Sequence, residues 1–338
     1  MTKVAIIAVE NTGLGSLASV MDLFAQAGIL WNRIHDMEPA PLFQVEIVTA
    51  TGETVNTSTK VPIVPHRAMD AVEAADLILI PALVMDLRKV QEVFPREIAW
   101  LKHQHANGTS LASLCTGAFL LAATGLCDGK AMTTHWGFVK LFESMYPRVC
   151  LHPDRILTDE GDLYSSGGAS ASINLALYLV EKYCSHEIAV QCSKFLVFDM
   201  NRAFQSPFAS LQSQQNHRDE CILSVQKWLH ENFSAKTTVA DMADKAGLSH
   251  RTFKRRFKKA TDDTPMHHLQ KLRVEAAKKI LETENHTIDE ITYSVGYENS
   301  SFFRKIFKRY TSLSPNEYRK KFQPMLRNIA TNHRGTKA

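Results

Sequence analysis

Long apolar runs are missing from this chain of 338 residues. Nowhere do about 20 uncharged apolar residues follow one another, so a membrane-spanning helix is excluded as a reading. A secretory leader is not expected either. Met1-Thr-Lys-Val-Ala-Ile-Ile-Ala-Val-Glu10 is too short and turns acidic too soon, and it reads better as a first buried strand. Cysteine is sparse: Cys115, Cys127, Cys150, Cys184, Cys192 and Cys221 are scattered, with no C-x-x-C pair. That spacing argues against a disulfide framework or a zinc site and fits a reducing cytoplasm. The sequence implies no metal and no cofactor.

Acidic residues are scarce in one part of the chain only. From His217 onward lie 24 of the 39 Lys and Arg but 14 of the 35 Asp and Glu. The back of the chain therefore carries about ten positive charges in excess and the front about six negative ones, so the back is the part suited to a polyanion. Hydrophobic residues at 45% are ordinary for a globular core, and the length favours two domains over one.

The front alternates short apolar runs with helical patterns. Candidate strands are 4–9, Phe43–Thr49, Leu77–Ile80, Ser110–Leu114 and 131–134, with helices over 17–27, 92–105 and Ala118–Ala123 between them. Buried Val/Ile/Leu-rich strands alternating with helices imply a doubly wound, mostly parallel α/β sheet. Further helices are expected over 169–182 and 186–198. The Ser- and Gln-rich stretch 201–215 changes character and reads as an interdomain connection. Beyond it everything is helical by pattern. The domains are read as 1–203, a linker 204–217, an all-α domain 218–324 and a tail 325–338.

The most informative motif occurs twice in that all-α part. Val239-Ala-Asp-Met-Ala-Asp-Lys-Ala-Gly-Leu248 leads to Phe253-Lys-Arg-Arg-Phe257, and Ile288-Asp-Glu-Ile-Thr-Tyr-Ser-Val-Gly-Tyr297 leads to Phe303-Arg-Lys-Ile-Phe307. Each copy reads as a short helix, a glycine turn and a basic second helix, the layout of a helix-turn-helix. Gly247 suits the left-handed end of a first helix and Ser249 a cap on the second. His250, Arg251, Lys254, Arg255 and Lys258 are left for DNA, the early cations for base edges and Lys258 for phosphate. In the second copy the set is Ser300, Ser301, Phe302, Arg304 and Lys305. Ser301 reads as a contact or a cap, and Phe302 as a thymine-methyl contact or a core residue. A helix from Pro265 to Glu282 would span roughly 27 Å, near the roughly 34 Å repeat of major grooves on one face of DNA.

Ala276-Ala277-Lys278-Lys279-Ile280-Leu281, the second Gly-Tyr turn, Phe303-Arg-Lys-Ile-Phe-Lys-Arg309 and Ser314-Pro315-Asn-Glu-Tyr318-Arg319 resemble the DNA-binding domain of the AraC/XylS family. The resemblance implies a seven-helix, two-headed domain on double-stranded DNA that controls transcription, usually through contact with RNA polymerase.

In the front part, Ser110-Leu-Ala-Ser-Leu-Cys115-Thr-Gly117 sets a cysteine between a strand and a helix, the pattern of a nucleophile elbow. A helix N-terminus and nearby N–H groups favour a thiolate there. Thr133-Thr134-His135-Trp136 ends another strand, placing His135 near Cys115 if both leave the same sheet edge. Cys115 reads either as a nucleophile or as a small thiol filling a turn, His135 as its partner or as a satisfied polar residue, and Trp136 as pocket lining or as packing.

These motifs, with Ser165-Ser-Gly-Gly168, resemble the class I glutamine amidotransferase-like superfamily in its PfpI-like branch. With the C-terminal motifs, the whole chain resembles the GlxA-type subgroup of AraC regulators. The resemblance implies an acidic residue where this chain has Ser16, with Asp22 the nearest acid on that helix. It also implies Gly-Gly where Ala82-Leu83 stands, and for amidotransferases a late His-x-Glu where only His186-Glu187 is found. A nucleophile without its acid and oxyanion donors is a poor catalyst. The expected protein is therefore a cytoplasmic, non-enzymatic regulator with a small-molecule effector in the front domain. Cys115, Thr116, Thr134, His135, Trp136, Ser16 and Asp22 are its candidate ligand contacts. By resemblance, homodimers through the front domain are common among such regulators. The alternatives are a cysteine hydrolase or amidotransferase fused to a DNA-binding domain, and a thiol redox sensor.

Overall fold

In the computed structural model, which describes residues 1–200, 203–211 and 217–323, the chain divides into two units, Met1–Gln205 and Ser206 onward. The tail 325–338 and part of the expected linker lie outside the described residues.

The first unit is built on β1 (Thr2–Ile7), β2 (Phe43–Thr49), β3 (Val55–Asn56), β4 (Pro62–Ile63), β5 (Arg67–Ala68), β6 (Leu77–Ile80), β7 (Ser110–Leu114), β8 (Ala131–Met132), β9 (Cys150–Leu151), β10 (Leu157–Asp159) and β11 (Leu163–Ser166). The main sheet runs β10-β11-β7-β6-β1-β2-β5. All its neighbours pair parallel except β10 with β11. Alternation decides which face each side chain serves: Ala5, Ile7, Ile78 and Ile80 enter one core, while Val4, Ile6, Leu77 and Leu79 enter the other. Both faces are covered, by α1 (Leu14–Gln26), α2 (Leu30–Ile34), α3 (Val90–Val93), α4 (Pro95–Ala106), α5 (Ala118–Ala123), α6 (Val139–Met145), α7 (Ala171–Tyr183) and α8 (His186–Phe195). This is the doubly wound arrangement that the alternating pattern implied.

Three local expectations are corrected. The helix over 92–105 is two helices, because Pro95 has no N–H to continue the first and instead opens the second. The strand over 131–134 stops at Met132 and pairs with β9 outside the main sheet, whose edge is taken by β10. The helix expected to reach 198 ends at Phe195, with Val197 in the left-handed region at φ +52°.

The second unit comprises α9 (Glu220–Asn232), α10 (Val239–Lys245), α11 (His250–Thr261), α12 (Pro265–Thr283), α13 (Ile288–Ser294), α14 (Ser300–Thr311) and α15 (Pro315–Phe322). Two cores hold it. Ile222, Met242, Phe253, Phe257 and Leu269 form the first, and Val274, Ile291, Phe303, Phe307 and Tyr318 the second. Phe253, Phe257, Phe303 and Phe307 are fully buried, each contributing roughly 1.5–3 kcal/mol. α12 serves both cores, and its 19 residues span about 28 Å.

The repeat extends beyond the motif the sequence advertises. Thr238 with Asp241 and Thr287 with Glu290 form the same capping box at the start of α10 and α13. α11 and α14 both end on a left-handed residue, Asp262 at φ +57° and Ser312 at φ +59°. In each, a threonine (Thr261 or Thr311) donates back to the carbonyl of Phe257 or Phe307. A proline then opens the next helix. Buried Arg273 on α12 donates to the Phe233 and Ala235 carbonyls at 2.8 and 2.9 Å, and its guanidinium lies 5.0 Å from the Tyr297 ring centre. It fastens the loop after α9 to the second helix-turn-helix.

Candidate ligand cleft and nucleic-acid interface

Cys115 occupies the turn between β7 and α5 with φ +57°, a conformation that costs a non-glycine residue energy, and is 7% exposed. Gly117 permits this turn, since a Cβ there would stand 2.3 Å from the Ile80 carbonyl oxygen. The N–H groups of Thr116 and Ala169 face the sulfur and favour its ionised form, but burial outweighs them and raises the thiol pKa. The expected thiolate is thus a neutral thiol at neutral pH, because removal from water disfavours the charged form more than these donors favour it.

Ser16 and Thr116 stand where oxyanion chemistry would need open donors. Ser16 Oγ accepts from the Ala82 N–H at 2.9 Å and donates to the Gly13 carbonyl. Thr116 Oγ1 accepts from the Leu83 N–H at 2.9 Å and donates to the Leu83 carbonyl at 2.7 Å. Both main-chain N–H groups that follow Pro81 are therefore already paired within the protein. Thr134, fully buried, donates to the Cys115 carbonyl at 3.1 Å.

His135 comes to the same place by another route. Its ring lies against Gly168, where a Cβ would stand 2.8 Å from Cδ2, and Ala169 follows at the sulfur. Burial lowers the imidazole pKa, keeping it neutral. Nδ1 accepts from the Gly137 N–H at 3.0 Å, which puts the remaining proton on Nε2. Neither nitrogen then offers a free lone pair, and among the described residues no hydrogen bond joins His135 to Cys115. Trp136 is half-buried, its ring tilted against that of His135 at 5.2 Å. Asp22 is exposed, well along α1 from Ser16, and takes no part.

The structure thus gathers Ser16, Cys115, Thr116, Thr134, His135 and Trp136 at the carboxyl ends of the central strands. In Ser16, Thr116 and Thr134 the hydroxyls brace main chain. A residue that sequence reasoning missed completes the cluster: Gln205, 2% exposed. It stands in a Ser- and Gln-rich stretch whose composition signals solvent, so nothing in the pattern pointed inward.

In the helical unit, Ser249 caps α11, accepting from Thr252 N–H, as expected. Phe253, Phe257 and Thr261 face inward, leaving His250, Arg251, Lys254, Arg255 and Lys258 exposed. Among the described residues, Arg251, Lys254, Arg255 and Lys258 have no acidic partner. Arg256 is different: it grips Asp219 through Nε at 3.0 Å and Nη2 at 2.7 Å, and is structural. On α14 the cap is Asn299, which accepts from Phe302 N–H. Ser301 is therefore inside the helix and exposed. Phe302 is 50% exposed, which decides against the core reading. Ser300 donates to Asp289 at 2.5 Å, and Arg304 lies 4.0 Å from the same carboxylate. Lys305 is open to solvent. The sequence reading left out exposed Lys308 and Arg309, although an offset of 50 from Lys258 and Lys259 signals them.

Comparison with known proteins accords with both halves. The DJ-1/PfpI family matches residues 21–182 and a helix-turn-helix domain matches residues 242–321. The HTH-type transcriptional regulator CdhR of Pseudomonas aeruginosa is 26% identical over 289 residues, covering 85% of this chain and 84% of that protein. The HTH-type transcriptional regulator GlxA of Rhizobium meliloti is 23% identical over 336 residues, covering 94% and 96%. The crystal structure of an AraC family transcriptional regulator from Pseudomonas putida superposes with a TM-score of 0.50 at 20% identity. It covers 58% of this chain and all of that one, and shows the shared fold.

Fold, exposed helices and matches define the class: a DNA-binding transcriptional regulator that joins a DJ-1/PfpI domain to a helix-turn-helix module. Within that class, the chain is similar over most of its length to the regulators CdhR and GlxA.

Proposed function

We propose that the chain reads a discrete DNA sequence with both recognition helices, and that a small polar metabolite in the cleft around His135 and Trp136 adjusts that binding. The doubled basic helix carries this reading: two copies of one scaffold each present an exposed polar face from the same kind of buried Phe pair. Arg251 and Arg255 on α11 suit base edges, and Lys258 suits phosphate. A polar effector is favoured by the Thr116 and Ala169 N–H groups turned toward Cys115 and by the half-buried Trp136 ring beside His135. RNA polymerase and a second copy of the chain are the further partners this role calls for, and the cytoplasm is its place.

An enzymatic reading has one observation in its favour, the strained Cys115 turn. Against it stand a neutral thiol, an imidazole without a free lone pair and two paired main-chain donors, so Cys115 and His135 are read as a non-catalytic remnant of an enzyme fold. Buried and un-ionised, Cys115 is also a slow redox sensor. Selection of duplexes from a random pool at physiological salt tests the regulator reading. A single enriched motif, bound about 10³-fold or more above random DNA, is the expected outcome. Equal binding to enriched and random duplexes contradicts it.

A further inference from the structure

The Gln205 carboxamide is held from both sides. Its oxygen accepts from the Trp136 N–H at 3.3 Å and the Gly168 N–H at 3.2 Å. Its nitrogen donates to Thr134 O at 2.8 Å and to Thr133 Oγ1 and Arg155 O at 3.2 Å each. The main chain around it is fixed as well: Gln205 N–H donates to the Asp154 carbonyl, and Phe204 forms an antiparallel bridge with Arg155. Gly167 leaves the room, for a Cβ there would stand 2.7 Å from the amide oxygen.

Three of these partners, Thr134, Trp136 and Gly168, border the candidate cleft. Thr134 and Trp136 flank His135, and Gly168 packs against its ring. A ligand that moves the 133–136 loop or the Gly167-Gly168 turn therefore takes donors or acceptors from Gln205. A buried carboxamide cannot stay where its partners have left, because its unpaired groups would be cut off from water.

Gln205 is also the last residue of the first unit. The next residue, Ser206, is tied within the helical unit: its Oγ shares a hydrogen bond of 2.7 Å with Ser312 Oγ, at the left-handed end of the second recognition helix. Further on, buried Lys278 of α12 donates to the Ala209 carbonyl. Along the chain, no spare residue separates the two anchorages.

The geometry points to Gln205 as the latch that relays occupancy of the cleft to the DNA-binding unit. This rests on the regulator reading. Two changes in the full chain open the latch differently. Gly167→Ala drives a methyl group into the amide at a position whose φ suits alanine. Gln205→Glu sets a carboxylate oxygen against the Thr134 and Arg155 carbonyls. Both are measured without effector, by amide exchange at Trp136 and Gly168 and by affinity for the selected duplex.

The latch requires exchange at both amides to rise at least tenfold, with duplex affinity changing at least fivefold in the same direction in both variants. Faster exchange with affinity within twofold of the wild type removes the latch and leaves the regulator reading standing. Unchanged exchange shows that Gln205 is not held as described and also removes it. Loss of the near-ultraviolet circular dichroism of the fold in both variants makes Gln205 a folding requirement, not a latch. A wild-type chain without any preferred duplex overturns the reading underneath.

Discussion

Ser16 and Thr116 turn the Cys115 site from an open one into a closed one. Each hydroxyl pairs with one of the two main-chain N–H groups that follow Pro81. The buried thiols of the first unit have a pH signature of their own. Burial raises the Cys115 pKa and pushes Cys127 and Cys192 up to about 12, from an ordinary value near 8.5. The folded state then holds these protons more tightly than the unfolded chain. Their contribution is fully present below about pH 8.5 and is lost as pH rises toward 12. Thermal unfolding across that window should show falling stability, and a Cys127→Ala/Cys192→Ala double variant should lose less. Buried tyrosines such as Tyr146, also at about 12, titrate in both proteins. An identical decline in both would show that the thiols are not the cause.

At the scale of elements, the two glycine turns look alike in sequence and differ in space. At Gly247 (φ +63°) an added Cβ would meet nothing within 4 Å, whereas at Gly296 (φ +84°) it would stand 2.4 Å from the Ser234 carbonyl oxygen. Gly247→Ala should cost about 1–2 kcal/mol from backbone conformation alone. Gly296→Ala should cost more than twice as much, because backbone and the Arg273 clamp crowd it. Denaturant titration of both variants decides, and equal losses would contradict the packing described. The turns, the Phe pairs and four strands of the main sheet were legible because periodicity and glycine punctuation carry them. The edge strands β5 and β10 and β10's neighbour β11 were not, since Arg67–Ala68, Leu157–Asp159 and Leu163–Ser166 are short and mix polar with apolar residues. Gln205 was illegible for another reason: all but one of its carboxamide's partners are main-chain groups, which leave no trace in residue type.

For the molecule as a whole, charge is divided as labour is. α11 presents cations without acidic partners among the described residues, while on α14 Arg304 leans on Asp289. The first motif should therefore supply more of the salt-sensitive affinity. Lys258→Ala should weaken all duplexes alike and reduce the slope of log affinity against log salt by about 0.9, one phosphate contact. A sequence-selective loss instead would move Lys258 to the base edges. The central claim is that α11 and α14 read successive major grooves. Base-resolved footprinting on the selected duplex tests it most directly, with the wild type beside Arg251→Ala and Lys305→Ala. Two protected patches about 10 base pairs apart on one face, each weakened by a different variant, are the predicted result. A single patch, or two patches lost together in either variant, would contradict it.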